Sequence, residues 1–387
     1  EFMGPIKAKD ALVLSRNIPA IYLSSQLSHP SLHQLLAKAQ VSHLRSESFY
    51  GLALNLGGVE LTLRELVGLY AMLVNEGLWY PIQLIVQPSA KNTGIRLLSP
   101  EASFLVLDML KQTPHQNVHY NALVPVSWKT GTSSGFRDAW TVGTFGPYVL
   151  GIWIGNFDNR ANPAFVGKDI AAPLFFELVD AIAHERGPLV NLEKDPGHMH
   201  LEKVEVCKAS GMLPTRYCTD REMTWFIPGV SPIKTDTIYR EVAINNRTGL
   251  RTCHIDENTR FEIFEFWPSD LLKIFKRAGI QRHTPPFFEA DCVLSGPNGL
   301  TPQILSPQKG LSYIMRANSS QNNRIPLSAV TDAGIQHVYW FINETFIAKT
   351  KADESYLWNA KPGHYVVRVV DDHGLSDARD IDIQLDS

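Results

Sequence analysis

A chain of 387 residues exceeds the usual size of one domain, so two or three domains are expected. Apolar residues at 44% and charged residues at 19% are typical of a globular protein and exclude a largely disordered one. A net charge of −3 gives no basic field for nucleic acid, and no apolar run is long enough to cross a bilayer. The first residues lack the basic start and apolar core of a signal peptide, and we expect them to continue a longer protein.

The first part of the chain begins with helical patterns. Pro19 is expected to stop the first of them, and Pro30 suits the first turn of the second. Thr62 with Glu65 forms a capping box, and Ser99-Pro100 is a typical helix start. The predicted helices therefore cover residues 6–15, 32–39, 63–76 and 100–110.

The hydrophobic period then changes to that of β-strands. Strands are predicted over 140–144 and 149–154, joined by a turn at Phe145-Gly146-Pro147. A closing helix over 173–185 is expected to end at Gly187. Helices followed by antiparallel strands and a last helix predict an α+β domain over residues 1–187.

The remaining sequence divides into two further parts. Residues 188–289 form an irregular connecting region with a strand over 201–206 and a short helix over 267–277. From residue 290 to 387, turn clusters separate short alternating runs, which predicts a small antiparallel sandwich. Its aromatic residues are expected to pack in the core rather than form a ligand-binding face: Trp340, Phe341, Tyr356 and Trp358.

All four cysteines lie in the second half of the chain: Cys207, Cys218, Cys253 and Cys292. An even number in one region is consistent with two disulfides in an oxidising compartment. Nearby histidines leave a zinc site as an alternative, although no Cys-x-x-Cys pair is present. Free buried thiols are a third interpretation.

Two short motifs suggest chemistry. Lys129-Thr130-Gly131-Thr132 lies in a β-type run, and Ser15-Arg16-Asn17 lies upstream of it. Such Lys-Thr-Gly and Ser-x-Asn elements are two of the three motifs of serine acyl-transfer sites in penicillin-binding proteins and serine β-lactamases. The third, a Ser-x-x-Lys with the nucleophile, should precede Ser15. Either motif alone is weak, since each is common as a surface strand or a helix cap.

The residue types suit acyl transfer. The edge of a strand can pair with an extended peptide, and Gly131 lets that backbone come close. Lys129 offers a cation for a carboxylate, and the hydroxyls of Thr130 and Thr132 offer donors. The N–H of Thr132 is a candidate for half of an oxyanion hole. In the same site Ser15 would relay a proton to the leaving amine, and Asn17 would bind the substrate amide.

Longer strings resemble class A penicillin-binding proteins, in particular their 1C branch. The similarity runs over nearly all of the chain and includes five segments: 10–20, 61–77, 128–133, 151–158 and 206–214. The tail beyond Ala290 resembles the C-terminal β module of that branch.

The resemblance implies an incomplete penicillin-binding/β-lactamase-like transpeptidase fold, then a cysteine-bearing linker and an immunoglobulin-like β-sandwich. It implies catalytic roles for Ser15, Asn17 and Lys129, and substrate binding by Thr130, Gly131 and Thr132. The nucleophile serine, a membrane anchor and a glycosyltransferase domain would lie upstream. Ser306-Pro307-Gln308-Lys309 is rejected as the nucleophile motif, because it is far downstream and does not open a helix.

The expected function is that of a peptidoglycan D,D-transpeptidase, with this fragment inactive alone. The parent would act on D-Ala-D-Ala stem peptides, bind β-lactams without metal or cofactor, and be anchored in the inner membrane facing the periplasm. The C-terminal module offers a surface for cell-wall protein partners. The alternative is a non-catalytic cell-wall binding or scaffold protein; a soluble β-lactamase is disfavoured by the extra domains. The disulfides expected are Cys207–Cys218, which closes a short loop, and Cys253–Cys292.

Overall fold

The computed structural model describes residues 4–27, 29–85, 93–114, 124–186, 196–292, 299–309, 311–316 and 324–386. The chain forms two compact units. The first unit comprises Ile6–Lys203 and Trp225–Ser231, and the second comprises Glu1–Pro5, Val204–Thr224 and Pro232–Ser387. The expected domain boundary after Gly187 lies outside the described residues.

The first unit mixes helices with two small sheets. Its helices are α1 Ala8–Val13, α2 Asn17–Gln26, α3 Leu32–Lys38, α4 Glu47–Tyr50, α5 Leu63–Val74, α6 Pro100–Leu110 and α7 Ala172–Arg186. Its strands are β1 Leu78–Trp79, β2 Ile95–Arg96, β3 Ser127–Thr132, β4 Asp138–Phe145 and β5 Tyr148–Gly155. Short 3₁₀ segments at Gly51–Leu56 and Pro196–His198, and a π-helical segment at Gly167–Ala171, complete it.

Helix starts follow the local capping signals. Thr62 and Glu65 form the predicted capping box of α5, and Ser99 caps α6 with Pro100 in the first turn. The prediction that Pro19 ends the first helix is wrong. Helix α1 ends at Val13, and Pro19 lies in the first turn of α2, where backbone N–H groups have no partner within the helix.

Strands β3, β4 and β5 form an antiparallel sheet in that order, with the predicted turn between β4 and β5. Because alternate residues point to opposite faces, Trp128 and Gly143 face one way, and Lys129 and Gly151 the other. Helix α7 covers the first face, where its residues Phe175, Phe176 and Val179 form the main core of the unit together with Phe145 of β4. Helix α5 lies so close to the second face that a Cβ on Gly151 would be 2.8 Å from its side chains.

The connecting part, residues 202–292, contains two two-stranded sheets and one helix. The elements are β6 Glu202–Cys207, β7 Arg221–Phe226, β8 Tyr239–Asn245, β9 Thr259–Glu265 and α8 Ser269–Arg277. The cysteines form the expected disulfides, Cys207–Cys218 and Cys253–Cys292, with Cα–Cα distances of 6.0 and 5.6 Å. None of the cysteines in the described ranges is free, so the zinc and free-thiol interpretations are wrong.

The C-terminal part consists of two sheets around a common core. Its strands are β10 Gln303–Ser306, β11 Ser312–Arg316, β12 Arg324–Val330, β13 His337–Ile342, β14 Thr345–Lys351, β15 Tyr356–Asn359, β16 Gly363–Asp371 and β17 Ser376–Asp386. The sheet orders are β10-β12-β15 and β11-β17-β16-β13-β14. Strands β11 and β17 pair in parallel, so the purely antiparallel arrangement expected from the sequence is wrong at this edge.

Three of the four aromatic residues expected in the sandwich core pack there. Trp340 is fully buried, and Tyr356 and Trp358 pack against the same cluster. Phe341 follows Trp340 and points to the opposite face of the strand, where its ring meets exposed Phe346 at 5.7 Å.

One carboxylate joins the connecting part to the sandwich within the second unit. Asp332 is 5% exposed and accepts from Arg240 Nη1 at 2.6 Å and Nη2 at 3.2 Å. It also accepts from the backbone N–H groups of Leu300 and Ala333. Nearby Arg251 stacks over the ring of Phe288, and burial lowers the pKa of its guanidinium to about 10. Asp332 is therefore the acceptor around which several elements of this unit are held.

Candidate active site

The structure brings together two motifs that are far apart in sequence. Lys129 lies on β3, which has β4 on one side and no second neighbour among the described strands. Its Nζ donates to Ser15 Oγ, 114 residues away, and to the carbonyl of Thr130 at 3.1 Å. Burial lowers the pKa of Lys129, because an ammonium loses hydration there. A lysine of this kind exchanges a proton with a hydroxyl partner more readily than an exposed one.

Ser15 is held in an unusual backbone conformation. Its φ of 54° lies in the left-handed region, directly after the end of α1. The N–H of Ser15 donates to Leu12 O and the N–H of Arg16 donates to Ala11 O, which is the pattern of a Schellman motif. Glycine is usual at this position, because side chains are strained there. The turn fixes the Ser15 hydroxyl beside Lys129.

Asn17 is the first residue of α2, and its side chain is exposed. It follows Ser15 by two residues, across the turn between α1 and α2. The structure thus places the Ser-x-Asn motif in a helix–turn–helix connection. Its backbone is ordered by the end of one helix and the start of the next.

The outer part of β3 is accessible. Gly131 and Thr132 are exposed, and within 4 Å a Cβ on Gly131 would meet one described atom, Trp140 Cβ, at an ordinary 3.5 Å. A second backbone therefore has room to approach here. Thr132 Oγ1 accepts a hydrogen bond of 3.0 Å from the N–H of Gly167, a residue that the sequence reasoning missed. A lone glycine before an apolar helix is the signal for it, and that signal is weak.

Two strings of the sequence fit the Ser-x-x-Lys pattern, Ser306-Pro307-Gln308-Lys309 and Ser231-Pro232-Ile233-Lys234. Ser231 accepts from the N–H of Ile227 within a turn. Ser306 is the last residue of β10. Neither serine opens a helix, so neither has the local structure expected of the nucleophile motif.

No helix within the described ranges combines the length and apolar character needed to span a bilayer.

Comparison with known proteins finds similarity to penicillin-binding proteins, both among family models and among individual relatives. The family model described as "Penicillin-Binding Protein C-terminus Family" matches residues 295–383, and that of "Penicillin-binding protein 1A, C-terminal domain" matches residues 199–241. Penicillin-binding protein 1C of Escherichia coli (strain K12) is 26% identical, over 96% of this chain and 49% of its own length. Penicillin-binding protein 1A of Clostridium perfringens is 24% identical, over 63% of this chain and 32% of its own length.

A solved structure shares the fold. Penicillin-binding protein 1A from Haemophilus influenzae has a TM-score of 0.50 and 18% identity, covering 60% of this chain and 41% of that chain. The chain spans about half the length of the 1C relative and a smaller share of the 1A relative. Similarity to the 1C protein covers almost the whole of this chain, and two family models of penicillin-binding proteins match parts of it, so the chain resembles class A penicillin-binding proteins.

Proposed function

We propose that this chain carries the substrate-binding and proton-transfer part of a serine peptidoglycan transpeptidase. The observation that supports it is the contact between Lys129 and Ser15, because it joins the two motifs at one exposed strand edge. Lys129 and Ser15 serve proton transfer and Asn17 binds the substrate amide. Thr130, Gly131 and Thr132 bind the stem peptide along β3.

The attacking serine comes from a segment outside the printed sequence. Its hydroxyl oxygen bonds to the carbonyl carbon of the D-Ala-D-Ala peptide, and its proton passes to a neighbouring base. The C–N bond then breaks, and the Ser15 hydroxyl delivers a proton to the leaving D-Ala amine, with Lys129 restoring it. An amine of a second stem peptide then bonds to the ester carbon and passes its proton through Ser15 back to Lys129. The C–O bond breaks, and the serine oxygen takes back the proton held by the base as the cross-link forms.

The remaining parts fit the same proposal. The disulfides suit an oxidising compartment, which we propose to be the periplasm, with a membrane anchor supplied elsewhere in the protein. Residues 1–187 belong to the transpeptidase domain, 188–289 connect it, and 290–387 form an immunoglobulin-like module that contacts cell-wall components. β-Lactams bind where the stem peptide does. A polypeptide of the printed residues alone is inactive.

Labelling with a fluorescent penicillin tests two parts of the proposal: that the nucleophile lies outside the printed residues, and that Lys129 takes part in acylation. The printed 387 residues should give no covalent band on a denaturing gel, and a labelled band would contradict the assignment of the nucleophile. The protein expressed from its complete gene should be labelled. In that protein Lys129→Ala should slow labelling by about 100- to 1,000-fold, the usual cost of losing a preorganised electrostatic contact.

Lys38→Ala is the matched control, because Lys38 is an exposed lysine at the end of α3 in the same unit. It should leave labelling unchanged. Failure of the complete protein to react at all would favour the non-catalytic alternative.

A further inference from the structure

The end of β3 packs closely against the segment that leads into α7. That segment begins at Gly167, whose N–H donates to Thr132 Oγ1 at 3.0 Å. Its carbonyl is 3.5 Å from Thr141 Oγ1 on the neighbouring strand β4. The backbone of Gly167 therefore spans the last residues of β3 and the middle of β4.

Only glycine fits at this crossing. A Cβ on Gly167 would overlap the carbonyl oxygen of Gly131 and would lie 2.7 Å from that of Trp140. Both are backbone atoms of paired strands, so they have little freedom to move. The segment cannot retreat easily either, because Ala171 and Ala172, which follow it, are fully buried in the core.

The contact determines which way the Thr132 hydroxyl points. A hydroxyl has one proton to donate and two lone pairs that accept. Because one lone pair is occupied by the N–H of Gly167, the proton is directed away from Gly167. The Thr132 side chain is exposed, so the proton remains available to a ligand bound along β3.

We propose that Gly167 is a positioning residue, which presets Thr132 as a hydrogen-bond donor to the carboxylate of the bound acyl donor. The crossing lies at the start of the π-helical segment Gly167–Ala171, and such segments are frequent at functional sites. This inference rests on the proposed function, since it assumes that a carboxylate-bearing ligand binds along β3. It assigns a role to a residue 35 positions away from Thr132 in sequence.

Acylation rates of the complete protein with two ligands test the assignment. One ligand is benzylpenicillin, and the other is its methyl ester, in which the carboxylate charge is masked. The unchanged protein should prefer the carboxylate. Gly167→Ala should reduce that preference by roughly 10- to 100-fold, the usual worth of a hydrogen bond to a charged group, because strain in the strand slows both ligands alike and cancels in the ratio of the two rates.

Gly143→Ala is the control for general strain. A Cβ on Gly143 would lie 2.8 Å from both Phe175 and Trp128, so it disturbs the same sheet on β4 without touching Thr132. It should slow both ligands by the same factor. An equal slowing of both ligands by Gly167→Ala would overturn the inference.

Two variants of Thr132 keep the test decisive even if Gly167→Ala does not fold. Thr132→Val should lose the preference and Thr132→Ser should keep it, because serine retains the hydroxyl. If Thr132→Val still prefers benzylpenicillin over its methyl ester, the inference is wrong. If the unchanged protein reacts with neither ligand, the proposed function has failed instead.

Discussion

Removing the Asp332 carboxylate should destabilise the second unit strongly. Asp332→Ala leaves the guanidinium of Arg240 without its bidentate partner, and it leaves the N–H groups of Leu300 and Ala333 without an acceptor. Asp332 also lies near a second buried cation, Arg251, whose charge it favours. The variant would therefore leave two arginines close together without a carboxylate between them.

The expected loss can be worked from these contacts. Breaking a buried ion pair by removing one partner costs about 3–5 kcal/mol, and each backbone donor left unpaired adds about 1 kcal/mol. The Arg240 side chain is 27% exposed, so water replaces part of what it loses. These contacts represent roughly 5–7 kcal/mol, and water at Arg240 offsets part of that. We therefore expect a net loss of about 4 kcal/mol in the free energy of unfolding, which is a large part of a domain's stability.

Urea unfolding followed by hydrogen-exchange mass spectrometry measures the two units separately. Peptides from 232–292 and 324–386 should lose protection at lower urea in Asp332→Ala, whereas peptides from 124–186 should not change. Asp353→Ala is the control, since Asp353 is an exposed aspartate in the same unit, and it should cost less than about 0.5 kcal/mol. A loss below about 1 kcal/mol for Asp332→Ala would refute the role given to this carboxylate.

Three further predictions concern single residues or pairs. Ser15→Gly should be about 1 kcal/mol more stable than Ser15→Ala in urea melts, because only glycine is free of strain at a φ of 54°; equal stability would count against the strain. Cys207→Ala with Cys218→Ala should cost about 3 kcal/mol, because the bond closes a loop of 11 residues; an unchanged melt would contradict this. Burial opposes ionisation of Glu65, but donation by Ser42 and Thr62 prevails and lowers its pKa from 4.5 to about 2. The unchanged protein should exceed Glu65→Gln in free energy of unfolding by the full difference above pH 4.5, and this difference should vanish as the pH falls towards 2. A difference that does not change with pH would contradict this.

The parts of the fold that could be predicted depend on neighbours in sequence. Thr62 and Glu65 are one helical turn apart, and Ser99 directly precedes Pro100, so their capping signals need no tertiary information. Pro19 shows the limit of such signals. The local preference of proline fits two positions, just after the end of one helix or in the first turn of the next. Packing with the rest of the chain determines which of the two is adopted.

Contacts between distant residues could not be derived in this way. The meeting of Lys129 with Ser15 was expected only through the resemblance to a family, because neither motif contains information about the other. The parallel pairing of β11 with β17 and the crossing of Gly167 over Gly131 were not expected at all. Each depends on how whole elements pack, which hydrophobic periodicity does not encode.

Ser15 breaks a local rule at the position for which a role in proton transfer is proposed. The Schellman turn after α1 favours glycine, and a serine there costs backbone energy that its neighbours must offset. The hydroxyl that glycine would lack is the group that meets Lys129. A conflict between local preference and the residue present is what functional sites produce, and the conflict at Ser15 can be read from φ and its hydrogen bonds without reference to any relative.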